Sequence, residues 1–196
     1  MQKDETGSKI GMWLFLLSEI LLFGGLFILY SSYRYKFSVD FHLAAGELSR
    51  PLGTLNTLIL LTSSLTMALS ISSIQGGNRK WSSLFLLATV FLGALFLANK
   101  YVEWAAKIHH DIYPNSPLLI KRSSGEVLFY GLYYAMAGLH ALHVLAGIAL
   151  LVIMFVFIRK GKVHRGNYVS LENSGLYWHL VDIFWIFLFP LFYLIT

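Results

Sequence analysis

Five apolar blocks, roughly residues 11–32, 54–74, 82–105, 127–158 and 174–195, constrain this chain more than any other feature. Each is about 20 residues or longer, the length a helix needs to cross the roughly 30 Å hydrocarbon core of a bilayer. Lipid offers no partner for backbone N–H and C=O groups, so a spanning segment of this kind must satisfy them internally, as a helix does. The expected fold is all-α: one membrane domain over residues 1–196, a bundle of five transmembrane helices. Composition agrees, with 57% hydrophobic and 13% charged residues, where soluble domains carry about a quarter charged.

The net charge of +5 resides in short polar connections, where basic residues set orientation and meet anionic lipid. It does not point to nucleic acid. Cysteine is absent, which removes disulfides, thiolate metal sites and Cys nucleophiles. The N-terminal block is too long for a signal h-region and lacks a small-residue cleavage site, so no cleavable signal is expected. The longest connection, "KIHHDIYPNSPLLIKRSSGE", contains two prolines that forbid a continuing helix. Pro51 and Gly53 mark a turn before the second block, and Pro190 marks a kink in the fifth.

Lys3, Lys9, Arg79, Lys80, Arg159, Lys160, Lys162 and Arg165 fall on the N-terminal side of the bundle. Arg34, Lys36, Arg50, Lys107, Lys121 and Arg122 fall on the other. The bias predicts the N-terminus inside and the C-terminus outside.

The informative residues are those that cost free energy where they sit: Glu19, Lys100, Glu103, His140, His143, His179 and Asp182. A central Asp or Lys costs about 2.5–3.5 kcal/mol by insertion scales. Three i,i+3 pairs each share a helix face, and small residues extend the stripes Met136-His140-His143-Gly147 and Gly175-His179-Asp182. Depth separates two groups. Glu19, His140, His143, His179 and Asp182 form an expected polar network at or below the midplane. Lys100 and Glu103 form an outer pair whose simplest role is to snorkel to the interface.

Three readings fit the inner group. "HALH" and "HLVD" offer imidazole and carboxylate at metal-ligand spacing, but known metal motifs need more ligands. A proton relay fits a small proton-coupled transporter, although no inverted repeat is visible. The third is a hydrogen-bonded network that locks helix packing. Buried without a cation, Glu19 favours its uncharged form. Asn56, Thr57, Thr62, Ser63, Ser64 and Thr66 read as helix–helix contacts. Trp13, Trp81, Trp104 and Trp178 read as interfacial anchors, and His109–His110 as a solvated loop.

"GMWLFLLSEILLFGGLF", "LNTLILLTSS", "GLHALHVLAGI" and "YWHLVDIFWIFLFPLFYL" together resemble subunit III of the haem–copper terminal oxidases, chiefly bacterial cytochrome c oxidase. The resemblance covers essentially the whole chain. It implies a non-catalytic subunit with no metal site and no cofactor of its own, haem and copper belonging to subunits I and II. It implies packing against the catalytic subunit, phospholipid binding, sustained proton uptake, and residence in a bacterial cytoplasmic (inner) membrane as part of the aerobic respiratory chain. Glu19 matches the family's carbodiimide-reactive acid; His140, His143, His179 and Asp182 match its polar core. Longer members carry two helices before the "SE" helix, so here either a neighbouring subunit or a fused segment on another chain is expected to supply that wall, or lipid is held less tightly; the open face also suits docking into a larger respiratory supercomplex. "SE" tilts the donor towards cytochrome c. A quinol oxidase subunit III or a nitric-oxide-reductase-associated relative is the alternative within the family.

Overall fold

Long apolar stretches fold as long helices, the last with Pro190 inside it, and most of their ends run past the apolar blocks into the flanking polar residues. The computed structural model describes residues 5–195. It comprises α1 (Glu5–Lys36), α2 (Ser38–Gly46), α3 (Arg50–Gln75), α4 (Arg79–His109), a 3-10 turn (Leu119–Lys121), α5 (Ser124–Arg159) and α6 (Val169–Tyr193). Among the described residues there is no strand, and α1, α3, α4, α5 and α6 are each long and apolar enough to cross a membrane. The all-α, five-span expectation therefore holds. Lys3, one of the basic residues used to orient the chain, lies outside the described residues.

Two local expectations are corrected. Pro51 and Gly53 lie in the first turn of α3 rather than in a turn before it. Proline suits that position because its missing N–H is one that the helix start leaves unpaired anyway. The connection before α3 also contains α2, whose Phe41, Ala44 and Ala45 are buried against the bundle. It is too short to register as a spanning block, and its apolar residues were hidden among polar neighbours.

The helix ends have readable causes. Gly77 takes a φ of +83° in the α3–α4 turn, and the Asn78 side chain caps α4 by accepting from the Trp81 N–H at 3.3 Å. Ser123 caps α5 through the Glu126 N–H at 3.3 Å. Both satisfy backbone donors that a helix start leaves open.

α6 is the central helix, packing on α1, α3 and α5, while α4 packs on α3 and α5. α1 lies outermost. Its buried apolar residues, Leu16, Phe23 and Tyr30, are spaced seven apart, which makes a single narrow stripe. The stripe is well anchored: Phe23 stacks on Phe184 with ring centroids 4.0 Å apart, and the Tyr30 hydroxyl donates to the Leu191 carbonyl. Leu26, Phe27 and Tyr33 are partly buried beside the stripe, whereas Trp13, Leu14, Leu17, Leu21 and Ile28 are exposed.

Candidate functional site

Polar side chains inside the bundle fall into separate clusters, not one network. On the α1–α5 seam, the His143 ring is fixed by two bonds. Its Nδ1 lies 2.8 Å from the Leu139 carbonyl and its Nε2 lies 2.9 Å from Glu19 Oε2. A carbonyl only accepts, so Nδ1 carries a proton. Nε2 then either accepts from a protonated Glu19 or, in an imidazolium, donates to a carboxylate. The pair shares one proton in either form. Phe23 packs edge-on against the ring, and the Tyr177 hydroxyl donates to the His143 carbonyl.

On the α3–α6 seam, Ser64 Oγ lies 2.6 Å from His179 Nδ1. Asp182 lies beside the same serine. Both of its carboxylate oxygens are buried without a hydrogen bond among the described residues. His140, on α5, is fully buried against the rings of Phe96 and Trp185, at centroid distances of 5.5 and 5.3 Å, and neither ring nitrogen has a hydrogen-bond partner among the described residues. The expected Glu19–His140–His143–His179–Asp182 network thus divides into a Glu19–His143 pair, a Ser64–His179 pair with Asp182 beside the same serine, and His140 apart from both. Side-chain direction around each helix decides this, and sequence spacing fixes only the shared face. Among the described residues no three His, Asp or Glu side chains gather closely enough to hold a metal ion.

The most complete cluster is the one expected to reach the interface. Lys100 and Glu103 are 2% and 4% exposed, with Lys100 Nζ 3.0 Å from Glu103 Oε2. The ammonium also donates to the hydroxyls of Tyr133 (3.1 Å) and Tyr193 (2.6 Å). Both tyrosines in turn donate to Glu103 Oε1, at 3.0 and 2.7 Å. Tyr133 accepts from Trp104 Nε1 as well. All three ammonium donors are satisfied and both carboxylate oxygens are engaged, the condition for a tolerable buried ion pair. Lys100 further lies 5.0 Å from the ring centroid of Trp185, within cation–π range. Neither charge snorkels. The stem of Lys100 runs inward because α5 and α6 bring two tyrosine hydroxyls to it, and Tyr133 and Tyr193 carried no signal in the sequence beyond an amphipathic aromatic on an apolar face.

A fourth cluster, around Arg122 and Glu47 in the connections, ties the end of α2 to the start of α5. Arg122 Nη1 bonds Glu47 Oε1 at 2.7 Å and Glu126 Oε2 at 2.8 Å, and the Tyr130 hydroxyl donates to Glu47 Oε2 at 2.6 Å. Partial burial alone would raise the Glu47 carboxyl, but bonds from Tyr130 and Arg122 outweigh it and hold it below the usual glutamate value. The Arg122 guanidinium is correspondingly raised, first by its bond to Glu47.

The polar residues of α3 act as contacts between helices. Asn99 donates to Asn56, Trp185 to Thr57 and Trp178 to Ser63, each at 3.0 Å, and Thr66 meets Thr89 at 2.8 Å. Thr62, also expected to join helices, instead bonds back to its own helix at Leu58, as Thr54 and Ser73 do at Arg50 and Leu69. Trp178 is not an interfacial anchor. It is fully buried, and a Cβ on Gly93 or Gly147 would stand 2.7 or 2.8 Å from its ring. These two glycines form a socket between α4 and α5. Trp104 is partly buried by its bond to Tyr133, whereas Trp13 and Trp81 are exposed, as anchors are.

The whole arrangement compares directly with known proteins. The family model described as cytochrome c oxidase subunit III matches residues 2–196. The chain is 29% identical over 185 residues to the "Cytochrome c oxidase subunit 3" of Alkalihalophilus pseudofirmus, covering 94% of this chain and 85% of that one. It is 26% identical to the "Probable quinol oxidase subunit 3" of Staphylococcus saprophyticus, over 99% and 92% of the two chains. It is also 31% identical to the "Heme-copper oxidase subunit I+III" of Aeropyrum pernix, covering 98% of this chain and 23% of that longer one.

Proposed function

That the chain belongs to the cytochrome c oxidase subunit III family is the premise from which we propose its role: the non-catalytic third subunit of a proton-pumping cytochrome c oxidase in aerobic respiration. It is a multi-pass membrane protein, and we assign it to a bacterial cytoplasmic membrane with the N-terminus inside. In this reading haem and copper reside in subunits I and II, and this chain supports the catalytic subunit, binds phospholipid and sustains proton uptake.

The observation that carries the reading is the asymmetry of α1. Leu16, Phe23 and Tyr30 are buried against the bundle with Leu26, Phe27 and Tyr33 partly buried beside them, and Trp13, Leu14, Leu17, Leu21 and Ile28 are left open. An exposed apolar face of this extent in a membrane protein is met by lipid or by another subunit. The relative whose name joins subunits I and III in one chain supports subunit I as that neighbour. A quinol oxidase is the second reading, favoured by the near full-length match to the staphylococcal relative.

Affinity purification of this chain from membranes in mild detergent tests the role. The expected product absorbs in the Soret band and oxidises reduced cytochrome c with uptake of oxygen. Oxidation of a quinol but not of cytochrome c selects the second reading. A haem-free chain that purifies alone would overturn both and favour a small proton-coupled transporter.

A further inference from the structure

At the end of the bundle where α6 begins, a cavity of about 360 Å³ has Lys9, Glu172, Asn173 and His179 in its polar lining, with Trp13 and Ile71 among its apolar residues. Lys9 of α1 lies 3.7 Å from Glu172 of α6, and Gln75 of α3 donates to the same carboxylate at 3.2 Å. Asn173 is only 8% exposed. Its amide nitrogen donates to Ser8, and its amide oxygen has no partner among the described residues. A polar cavity far larger than the roughly 30 Å³ share of one water molecule admits water.

The histidines inside the bundle differ in how their ring nitrogens are used. His143 has both bonded, and His140 has neither. His179 lines the cavity, and among the described residues only its Nδ1 is bonded, to Ser64 Oγ at 2.6 Å. One edge of that imidazole is thus tied to the bundle interior and the other is left for water.

Asp182 adds an independent sign. It lies beside Ser64, is 3% exposed, and among the described residues has no ion pair and no hydrogen bond at either oxygen. Ionised, it is an uncompensated charge in the bundle interior; as a carboxylic acid it is a neutral group of far lower cost. Along α6 it lies about 15 Å from Glu172, half of the roughly 30 Å hydrocarbon core. Cavity, imidazole, hydroxyl and buried carboxyl therefore form one sequence leading inward.

We propose that Asp182 is a proton-binding site filled from this cavity through His179 and Ser64. An imidazole takes a proton at one nitrogen while giving one up at the other, and a hydroxyl both donates and accepts. In the step, a proton from hydronium in the cavity bonds to His179 Nε2 and the Nδ1 proton passes to Ser64 Oγ. The original Ser64 proton passes to an Asp182 oxygen, forming the O–H bond of the acid. Hydronium becomes water, the carboxylate becomes neutral, and no electron moves. The site is separate from the Glu19–His143 pair on the α1–α5 seam, and it is independent of which electron donor the complex uses.

Infrared spectroscopy of the intact purified complex, moved rapidly from light into heavy water, tests it through the carbonyl band of a protonated carboxyl. The band that disappears in Asp182→Asn, or moves in Asp182→Glu, belongs to Asp182. The expected deuterium shift of that band is complete within seconds in the wild type. It is slower by about tenfold or more in His179→Phe and in Ser64→Ala, at unchanged band amplitude and yield of complex. A merely structural role leaves the rate unmoved. Absence of a protonated Asp182 band overturns the proposal, and so does equal exchange in the wild type and both variants. Wild-type exchange that takes hours overturns it as well, and that measurement stands even if His179→Phe or Ser64→Ala fails to assemble.

Discussion

The Lys100 ammonium stands 3.0 Å from the Glu103 carboxylate inside the bundle, enclosed by Tyr133 and Tyr193 instead of reaching the interface. Three helices supply this cluster: α4 the charges, α5 and α6 the hydroxyls. Removing one charge leaves the other buried and uncompensated. Glu103→Gln should therefore destabilise the assembled subunit by about 3–5 kcal/mol, and Lys100→Met/Glu103→Gln by clearly less. Retention of the subunit in the complex during thermal or detergent titration measures it. A single-variant loss below about 1 kcal/mol would show that the pair is not dependent on its partner.

The Glu19–His143 pair predicts a sharp difference between two substitutions. With His143 Nδ1 donating to Leu139, a glutamine at position 19 still presents an N–H to Nε2. Glu19→Gln should leave assembly and most oxygen reduction intact, while Glu19→Leu strands the imidazole at a cost of about 1–3 kcal/mol. His143→Ala should impair assembly more than turnover of the complexes that do form. Yield of purified complex, compared with oxygen uptake per haem, separates the two effects. Normal yield with abolished turnover would contradict a structural role.

Close packing around Trp178 makes Gly147 intolerant of a methyl group. Gly147→Ala should cost about 1–3 kcal/mol through overpacking, because the new Cβ would meet the ring at 2.8 Å. In a double-mutant cycle with Trp178→Phe, the glycine substitution should cost at least about 0.5 kcal/mol less than it does alone. Additive losses would place the strain elsewhere.

The Glu47 cluster predicts an acid-sensitive tie between α2 and α5. Glu47 sits below the ordinary glutamate value of 4.5 in the folded protein, held there by Tyr130 and Arg122 against the opposing effect of burial. A depressed carboxyl contributes stability that is fully present above its unfolded value and is lost as pH falls through the folded one. Stability of the complex should thus be flat near neutrality and fall below about pH 4.5, and Glu47→Gln should flatten part of that acid limb. Unfolding followed across pH for both proteins checks this, and superimposable acid limbs would remove Glu47 from the account.

How much of this was legible beforehand differs by residue. Of the six α3 residues whose type points to helix–helix contacts, Asn56, Thr57, Ser63, Ser64 and Thr66 meet a side chain on another helix, and Thr62 does not. A hydroxyl or amide on an apolar helix has few other uses. Trp178 was misread because it lies near the start of an apolar block. The helix itself begins at Val169, so the tryptophan is more than two turns inside, and the glycines that receive it lie on two other helices. No local pattern encodes such a socket.

The sequence by itself determined that this chain is all helical and crosses a membrane five times, because block length and apolarity are set by the bilayer and by the need to satisfy the backbone within each segment. It also singled out the polar residues that burial would make costly. Only the tertiary structure decided which of them meet: that Glu19 finds His143, that His179 finds Ser64, and that Lys100 turns inward to Tyr133 and Tyr193. Helical periodicity specifies a face, whereas pairing depends on rotation, depth and the small residues that let one helix approach another.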